Sequence, residues 1–116
     1  MFGAGCGYLF DGPPEKMHAS LQRIAALPEG TRVCCAHEYT EDNLLFAWSI
    51  EPENERLVER IRRVRALRAA GGCSVPSTVA EERATNPFVR VNNAAEFAQR
   101  RALKDGKSYK SLSFPE

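Results

Sequence analysis

The segment Thr31-Arg32-Val33-Cys34-Cys35-Ala36 restricts the fold more than any other part of the chain, because Val33 to Ala36 is an unbroken apolar stretch. A continuous apolar run, as opposed to an alternating one, is the signature of a strand covered on both faces. Residues 31–36 are therefore expected to form a central strand and not an edge. Such a strand needs neighbours to hydrogen-bond and layers above and below it. The chain offers at most one other strand-like segment, the Gly-rich apolar stretch Phe2 to Phe10, which ends at the Asp11-Gly12-Pro13 breaker. Most of the sheet that the strand demands is missing from the sequence.

Everything else reads as helix. Pro14 suits a first helical turn, Glu15 suits its dipole, and Met17, Leu21, Ile24 and Leu27 recur on one face until Pro28 stops the pattern. Thr40 is expected to cap a helix carrying Leu44, Leu45, Phe46, Trp48 and Ile50. A longer helix from about Glu53 to Ala70 carries Leu57, Ile61, Val64 and Leu67 on one face and ends at Gly71-Gly72. Ser74 to Ser77 is a linker, and Thr78-Val79-Ala80-Glu81 is a capping-box pattern opening a short helix that Asn86-Pro87 breaks. A last helix starts at Asn92 or Asn93, places Glu96 at the capping-box position, and runs to Gly106 before a polar tail. Strand-and-loop sequence gives way to helices near residue 40, the best candidate boundary.

The 116 residues allow one domain at most. Sixteen Lys and Arg against 15 Asp and Glu give a formal charge of +1, which supplies no global reason for a nucleic-acid or membrane-surface partner. No apolar run approaches the roughly 20 residues of a membrane span, and Met1 to Gly12 does not read as a secretory signal. The four cysteines, Cys6, Cys34, Cys35 and Cys73, have no CxxC spacing, so buried reduced thiols in a reducing cytosol are the expectation. His18 and His37 are the only histidines, so the chain cannot build a histidine-rich metal centre by itself.

Ala36-His37-Glu38-Tyr39-Thr40 places an imidazole, a carboxylate and a phenol at a strand end, where His37 could ligate a metal or be a satisfied structural residue. Adjacent strand residues point to opposite faces, so Cys34, Cys35 and His37 make a poor metal cluster. Arg56, Arg60, Arg62, Arg63, Arg65 and Arg68 lack interleaved aromatics, so they read as a solvated helix face paired with Glu55 and Glu59. Arg101 and Lys104 share a face of the last helix and suit a small carboxylate ligand. Gly3, Gly5 and Gly7 lack the P-loop Lys and read as enabling tight turns.

In order, Gly5-Cys6-Gly7-Tyr8-Leu9-Phe10-Asp11-Gly12, Leu27-Pro28, Thr31-Arg32-Val33, His37-Glu38-Tyr39-Thr40-Glu41-Asp42-Asn43-Leu44, Glu51-Pro52, Val75-Pro76-Ser77-Thr78 and Thr85-Asn86-Pro87-Phe88-Val89-Arg90 resemble the second half of glyoxalase II. That family, the hydroxyacylglutathione hydrolases, lies within the metallo-β-lactamase superfamily. The resemblance covers essentially the whole chain. It implies an α+β, mostly helical chain: residues 1–40 as the tail end of a metallo-β-lactamase αββα domain, and residues 41–116 as the helical, substrate-binding C-terminal domain. The missing sheet then belongs to residues preceding this chain.

The resemblance further implies that His37 is a metal ligand, the only one present for a centre of two divalent ions, zinc or iron. It makes Tyr39 and the segment Tyr8, Leu9 and Phe10 contacts to glutathione, and Arg101 and Lys104 the pair that binds a glutathione carboxylate. Ala36 stands where the family usually has Gly, and Tyr8 where a basic residue is common. The implied reaction is hydrolysis of S-(2-hydroxyacyl)glutathione, typically the D-lactoyl thioester, to glutathione and a 2-hydroxy acid. The implied setting is a cytoplasmic protein, monomeric at full length, with a glutathione thioester as partner. The isolated chain is expected to be inactive. The competing expectation is a non-catalytic helical module that binds glutathione or a partner.

Overall fold

Apolar residues at helical spacing, with caps at the ends, give five α-helices among the described residues, which are all except Asp11 and Glu116 in this computed structural model. The helices are α1 (Pro14–Ala25), α2 (Thr40–Ile50), α3 (Glu55–Ala69), α4 (Val79–Thr85) and α5 (Ala94–Asp105), with two short strands, β1 (Arg32–Val33) and β2 (Ser77–Thr78). The architecture is mostly helical, as expected. Because Asp11 is not described, the expected breaker there is represented only by Gly12, at φ +103°, and Pro13.

The caps follow local sequence chemistry. Asn54, Thr78 and Asn93 each accept a hydrogen bond from the backbone N–H three residues on, at 3.3, 3.2 and 2.9 Å. α3 ends in a Schellman arrangement: the Gly71 N–H donates to Arg68 O and the Gly72 N–H to Leu67 O, with Gly71 at φ +84°. Thr40 does not cap α2. It is the first residue of the helix and fully buried, and its Oγ1 accepts from Ser74 Oγ at 2.7 Å.

From Leu44 to Ile50 α2 is apolar almost all round because it separates two cores. On one side Leu44 and Ala47 pack with Ala4, Leu57, Ile61 and Val64; on the other Phe46 packs with Cys6, Leu21, Phe88, Phe97 and Tyr109. The second core is aromatic. Phe88 stacks on Phe46 at 5.6 Å between centroids and meets the edge of Phe97 at 5.7 Å, while Tyr109 meets Phe46 edge-on at 5.3 Å. The tail expected to be polar is therefore anchored, with Tyr109 buried on a 3-10 turn, Ser108–Ser111. On α1, Leu21 is buried but Leu27, beyond the helix end, is exposed.

The expected central strand is not found. β1 has two residues and pairs antiparallel with β2 alone, Arg32 opposite Thr78 and Val33 opposite Ser77. In that register Cys34 would face Pro76, which has no N–H to donate, so the ladder stops there. Arg32 and Cys34 are exposed and Val33 only half-buried. The thiols follow suit: all four are free, Cys6 is buried, Cys35 half-buried, and Cys34 and Cys73 exposed, so burial was the wrong expectation for those two.

The arginine run on α3 is not simply solvated. Arg60 is 2% exposed and its Nη2 lies 2.8 Å from the Glu82 carboxylate, itself 1% exposed, while its Nη1 donates to Thr85 Oγ1 at 2.7 Å. Arg63 pairs with Glu81 and Arg68 with Glu41, so these partners come from α4 and α2 and not from Glu55 or Glu59. Glu82 also accepts from the Ala4 N–H at 2.8 Å, Ser77 Oγ at 2.7 Å and Asn86 Nδ2 at 2.9 Å. One carboxylate thus joins the N-terminal segment, the linker, α3 and α4.

Residues 2–7 thread through this helical body without regular structure, so side chains from distant elements satisfy their carbonyls. Asn43 Nδ2 donates to Gly3 O, Asn86 Nδ2 to Gly5 O, and Arg101 Nη1 to Cys6 O. The turn itself falls at Ala4, with φ +58°. Gly3 and Gly5 serve close approach instead: a Cβ on Gly3 would sit 2.4 Å from Thr40 Oγ1, and one on Gly5 2.5 Å from Asn43 Cγ. Asn43 is buried and tied at both ends of its amide, so it cannot yield. Gly5→Ala is expected to cost about 1–3 kcal/mol by overpacking, read as a lowered urea midpoint with an unchanged m value.

Candidate functional site

Two polar residues occupy positions of α5 that its periodicity assigns to the core. Phe97, Arg101 and Lys104 lie at i, i+4 and i+7 on one buried face, and the two cations end beside a recess of about 490 Å³. Phe2, Tyr8, Phe10, His37, Tyr39 and Tyr109 also line it, with Cys6, Gly7, Asp42, Asn43, Lys107 and Lys110. Of the residues singled out from sequence, Tyr8, Phe10, His37, Tyr39, Arg101 and Lys104 thus share one site. Leu9 does not line it; the Phe10 N–H donates to Tyr8 O at 3.1 Å in a tight turn centred on Leu9, whose half-buried side chain packs against the aromatic core.

One aromatic group gathers where residues 37–39 lead into α2. The His37 ring stacks on Tyr39 at 4.9 Å and 13°, and Phe2 lies 5.1 Å from Tyr39 and 6.0 Å from His37 between centroids. Glu38, between them, turns to Ser74 and accepts from its N–H at 2.5 Å and its Oγ at 2.6 Å. Burial pushes the Glu38 carboxyl upward, yet the Ser74 bonds, with Cys73 and Arg68 nearby, leave it below its ordinary value. A second aromatic pair is Tyr8 against Phe10 at 5.7 Å; Tyr8 is half exposed and Phe10 is 89% exposed. Phenyl and phenol surface left open beside buried cations suits a ligand with an apolar body and an acidic end.

Lys104 is 9% exposed, and its Nζ donates to Asn43 Oδ1, whose Nδ2 is in turn held on Gly3 O. Burial, reinforced by the Arg101 charge and partly offset by Asp42, lowers the ammonium to about 8. Among the described residues Asp42 is the one carboxylate lining the recess, and its charge is answered within the chain: Tyr109 donates to it at 2.8 Å and Lys110 Nζ lies 3.7 Å away. Burial first, then donation to Asp42, raises the Tyr109 phenol. Cys6 is also raised, chiefly by burial, which keeps it a neutral thiol despite Arg101. The field in the recess is therefore cationic.

Sequence reasoning missed Asn43 and Tyr109. Asn43 carried no readable signal, since it follows Thr40, Glu41 and Asp42 in the polar first turn of α2. Tyr109 carried none beyond its being an aromatic in a polar tail.

Residues 38–111, from just before α2 to the end of the C-terminal 3-10 turn, match the family model described as "Hydroxyacylglutathione hydrolase C-terminus". Curated relatives of the name hydroxyacylglutathione hydrolase agree. One from Synechococcus sp. (strain CC9605) is 53% identical over 105 residues, covering 90% of this chain and 42% of the relative. Another, from Dechloromonas aromatica (strain RCB), is 60% identical over 95 residues, 82% of this chain and 36% of the relative. A third, from Pseudomonas fluorescens (strain SBW25), is 50% identical over 110 residues, 93% and 43% respectively. The chain belongs to the hydroxyacylglutathione hydrolase family.

The chain spans about two fifths of the length of these hydroxyacylglutathione hydrolases. Among its described residues no three His, Cys, Asp or Glu side chains converge as a metal-binding group. The His37 ring is stacked on Tyr39. The chain's own residues therefore do not fit a two-metal centre. Among the described residues no helix is long and apolar enough to cross a membrane.

Proposed function

We propose that this chain is the substrate-binding part of a thioester hydrolase that converts S-(2-hydroxyacyl)glutathione, typically the D-lactoyl thioester, to glutathione and a 2-hydroxy acid. The observation that carries the reading is the buried Lys104 ammonium facing a recess walled by Tyr8, Phe10 and Tyr39, in a chain of this family. Lys104 meets a peptide carboxylate of glutathione, the aromatic rings cover its backbone, and Tyr39 offers a phenol donor. Lys107 and Lys110 at the recess draw the anionic ligand in.

In this division of labour the chain binds and orients, and the bond-breaking groups come from residues outside it. His37 is the single contact the chain offers to a zinc or iron centre. The boundary near residue 40 separates that contribution, in residues 1–40, from the helical binding domain, in residues 41–116. Free, exposed Cys34 and Cys73 suit a reducing, cytoplasmic setting, and the full-length protein acts as a monomer.

The test is a pair of measurements on the purified 116-residue chain. Calorimetry is expected to show saturable glutathione binding. A thioesterase assay with S-D-lactoylglutathione and added zinc is expected to show no turnover above the blank; clear zinc-dependent turnover would overturn the division of labour, and absence of binding would overturn the ligand.

A further inference from the structure

Resting on the glutathione-binding reading, we infer that Glu38 is a positioning residue, which latches the turn at residues 37–39 to the linker after α3 and so sets where the His37–Tyr39 stack points. Its two carboxylate oxygens carry this. Oε1 accepts from the Ser74 N–H at 2.5 Å and Oε2 from Ser74 Oγ at 2.6 Å. Ser74 Oγ also lies 2.7 Å from Thr40 Oγ1, so the turn and the first residue of α2 meet one serine. Glu38 itself lies outside the recess that its two neighbours, His37 and Tyr39, help to line.

The turn needs such an anchor. α2 starts without a side-chain cap: Tyr39, at the N-cap, makes no capping hydrogen bond, so local sequence does not fix the direction in which the helix is entered. Tyr39 is half exposed, stacked on His37 and 5.1 Å from Phe2 between ring centroids. Stacking orients such rings on each other, and the backbone beneath them decides where the stack faces. Ser74 is a fixed partner for that backbone. Gly72, two residues before it, accepts from Arg68 Nη1 at 2.7 Å and donates to Leu67 O at 2.9 Å; Ser77, three residues after it, pairs with Val33 in the sheet. Thr40, at the other end of the turn, is fully buried and packed on Gly3. A carboxylate bridging these two fixed points holds the turn in one direction.

Reach separates positioning from charge. Glu38→Asp keeps the anion but falls one methylene short of Ser74, whereas Glu38→Gln drops the charge but keeps an oxygen for the Ser74 N–H and an amide for its hydroxyl. If Glu38 positions the turn, Glu38→Asp binds glutathione about fivefold more weakly and Glu38→Gln stays within about twofold of wild type. If Glu38 acted through its charge beside a cationic recess, the ranking would invert: Glu38→Gln would tighten binding of the anion and Glu38→Asp would match wild type. In the ligand-free chain, NMR order parameters at His37 and Tyr39 should fall in Glu38→Asp and hold in Glu38→Gln. Combined with Ser74→Ala, the loss in Glu38→Asp should be non-additive, as for two halves of one contact. Wild-type affinity in Glu38→Asp, an equal loss in both variants, or unchanged order at His37 and Tyr39 overturns the inference. If wild type binds no glutathione, the ligand reading falls, and the order parameters still decide the latch.

Discussion

Glu82→Ala is expected to lower the unfolding free energy by about 3–5 kcal/mol, because it strands the Arg60 guanidinium in the interior. Arg60 is 2% exposed and has Glu82 at 2.8 Å; Glu81, its other carboxylate, lies at 3.4 Å and is shared with Arg63. The same substitution orphans the Ala4 N–H and Ser77 Oγ. The measurement is urea unfolding at neutral pH, with an unchanged m value showing that the native fold is kept. The double variant Arg60→Met, Glu82→Leu should recover most of the loss, since replacing both members of a buried pair removes the uncompensated charge. A Glu82→Ala chain within about 1 kcal/mol of wild type would show the pair to be hydrated and marginal.

The second large effect concerns Lys104. Its amine titrates at about 8 in the folded chain, against an ordinary 10.5. Glutathione binding should weaken about tenfold between pH 7 and pH 9, as the ammonium is lost. Lys104→Met should cost about 10–100-fold at pH 7. Lys104→Arg, which stays charged, should flatten the profile around pH 8 and thereby separate the protein's titration from that of the ligand. The stability contribution has the opposite sign. Between pH 8 and 10.5 the unfolded chain holds a proton that the folded chain has shed, so this site favours folding increasingly as pH rises through that window. A rising urea midpoint alongside a falling affinity is the expected pair of results.

What the sequence disclosed was chiefly local. Thr78, Asn93 and Gly71 place helix ends through hydrogen bonds spanning three or four residues, and such signals survive any tertiary arrangement. The Arg101–Lys104 pair was legible for the same reason, through helical spacing. Long-range bonding was not. An apolar run at Val33 to Ala36 says what those residues tolerate, whereas Pro76 opposite Cys34 decides where the ladder ends. Similarly Arg60 sits in a run of six arginines, and nothing local marks it as the one that meets Glu82 and Thr85 inside the protein. Likewise, spacing gave no hint that Arg101 also donates to the carbonyls of Cys6 and Gly7, 95 and 94 residues away.

The threading of residues 2–7 through the helices has a kinetic consequence. Its bonds join positions 40, 78, 81 and 95 residues apart, Gly3 with Asn43, Ala4 with Glu82, Gly5 with Asn86 and Cys6 with Arg101. A mostly helical chain would ordinarily fold quickly through local contacts, but here the interior closes only when residues 2–7 meet α5. During synthesis residues 2–7 must wait for α5 to follow, with Cys6 and its partner Arg101 95 residues apart. Until then Phe2, Ala4 and Cys6 stay exposed, and α2 has both of its apolar faces incompletely covered.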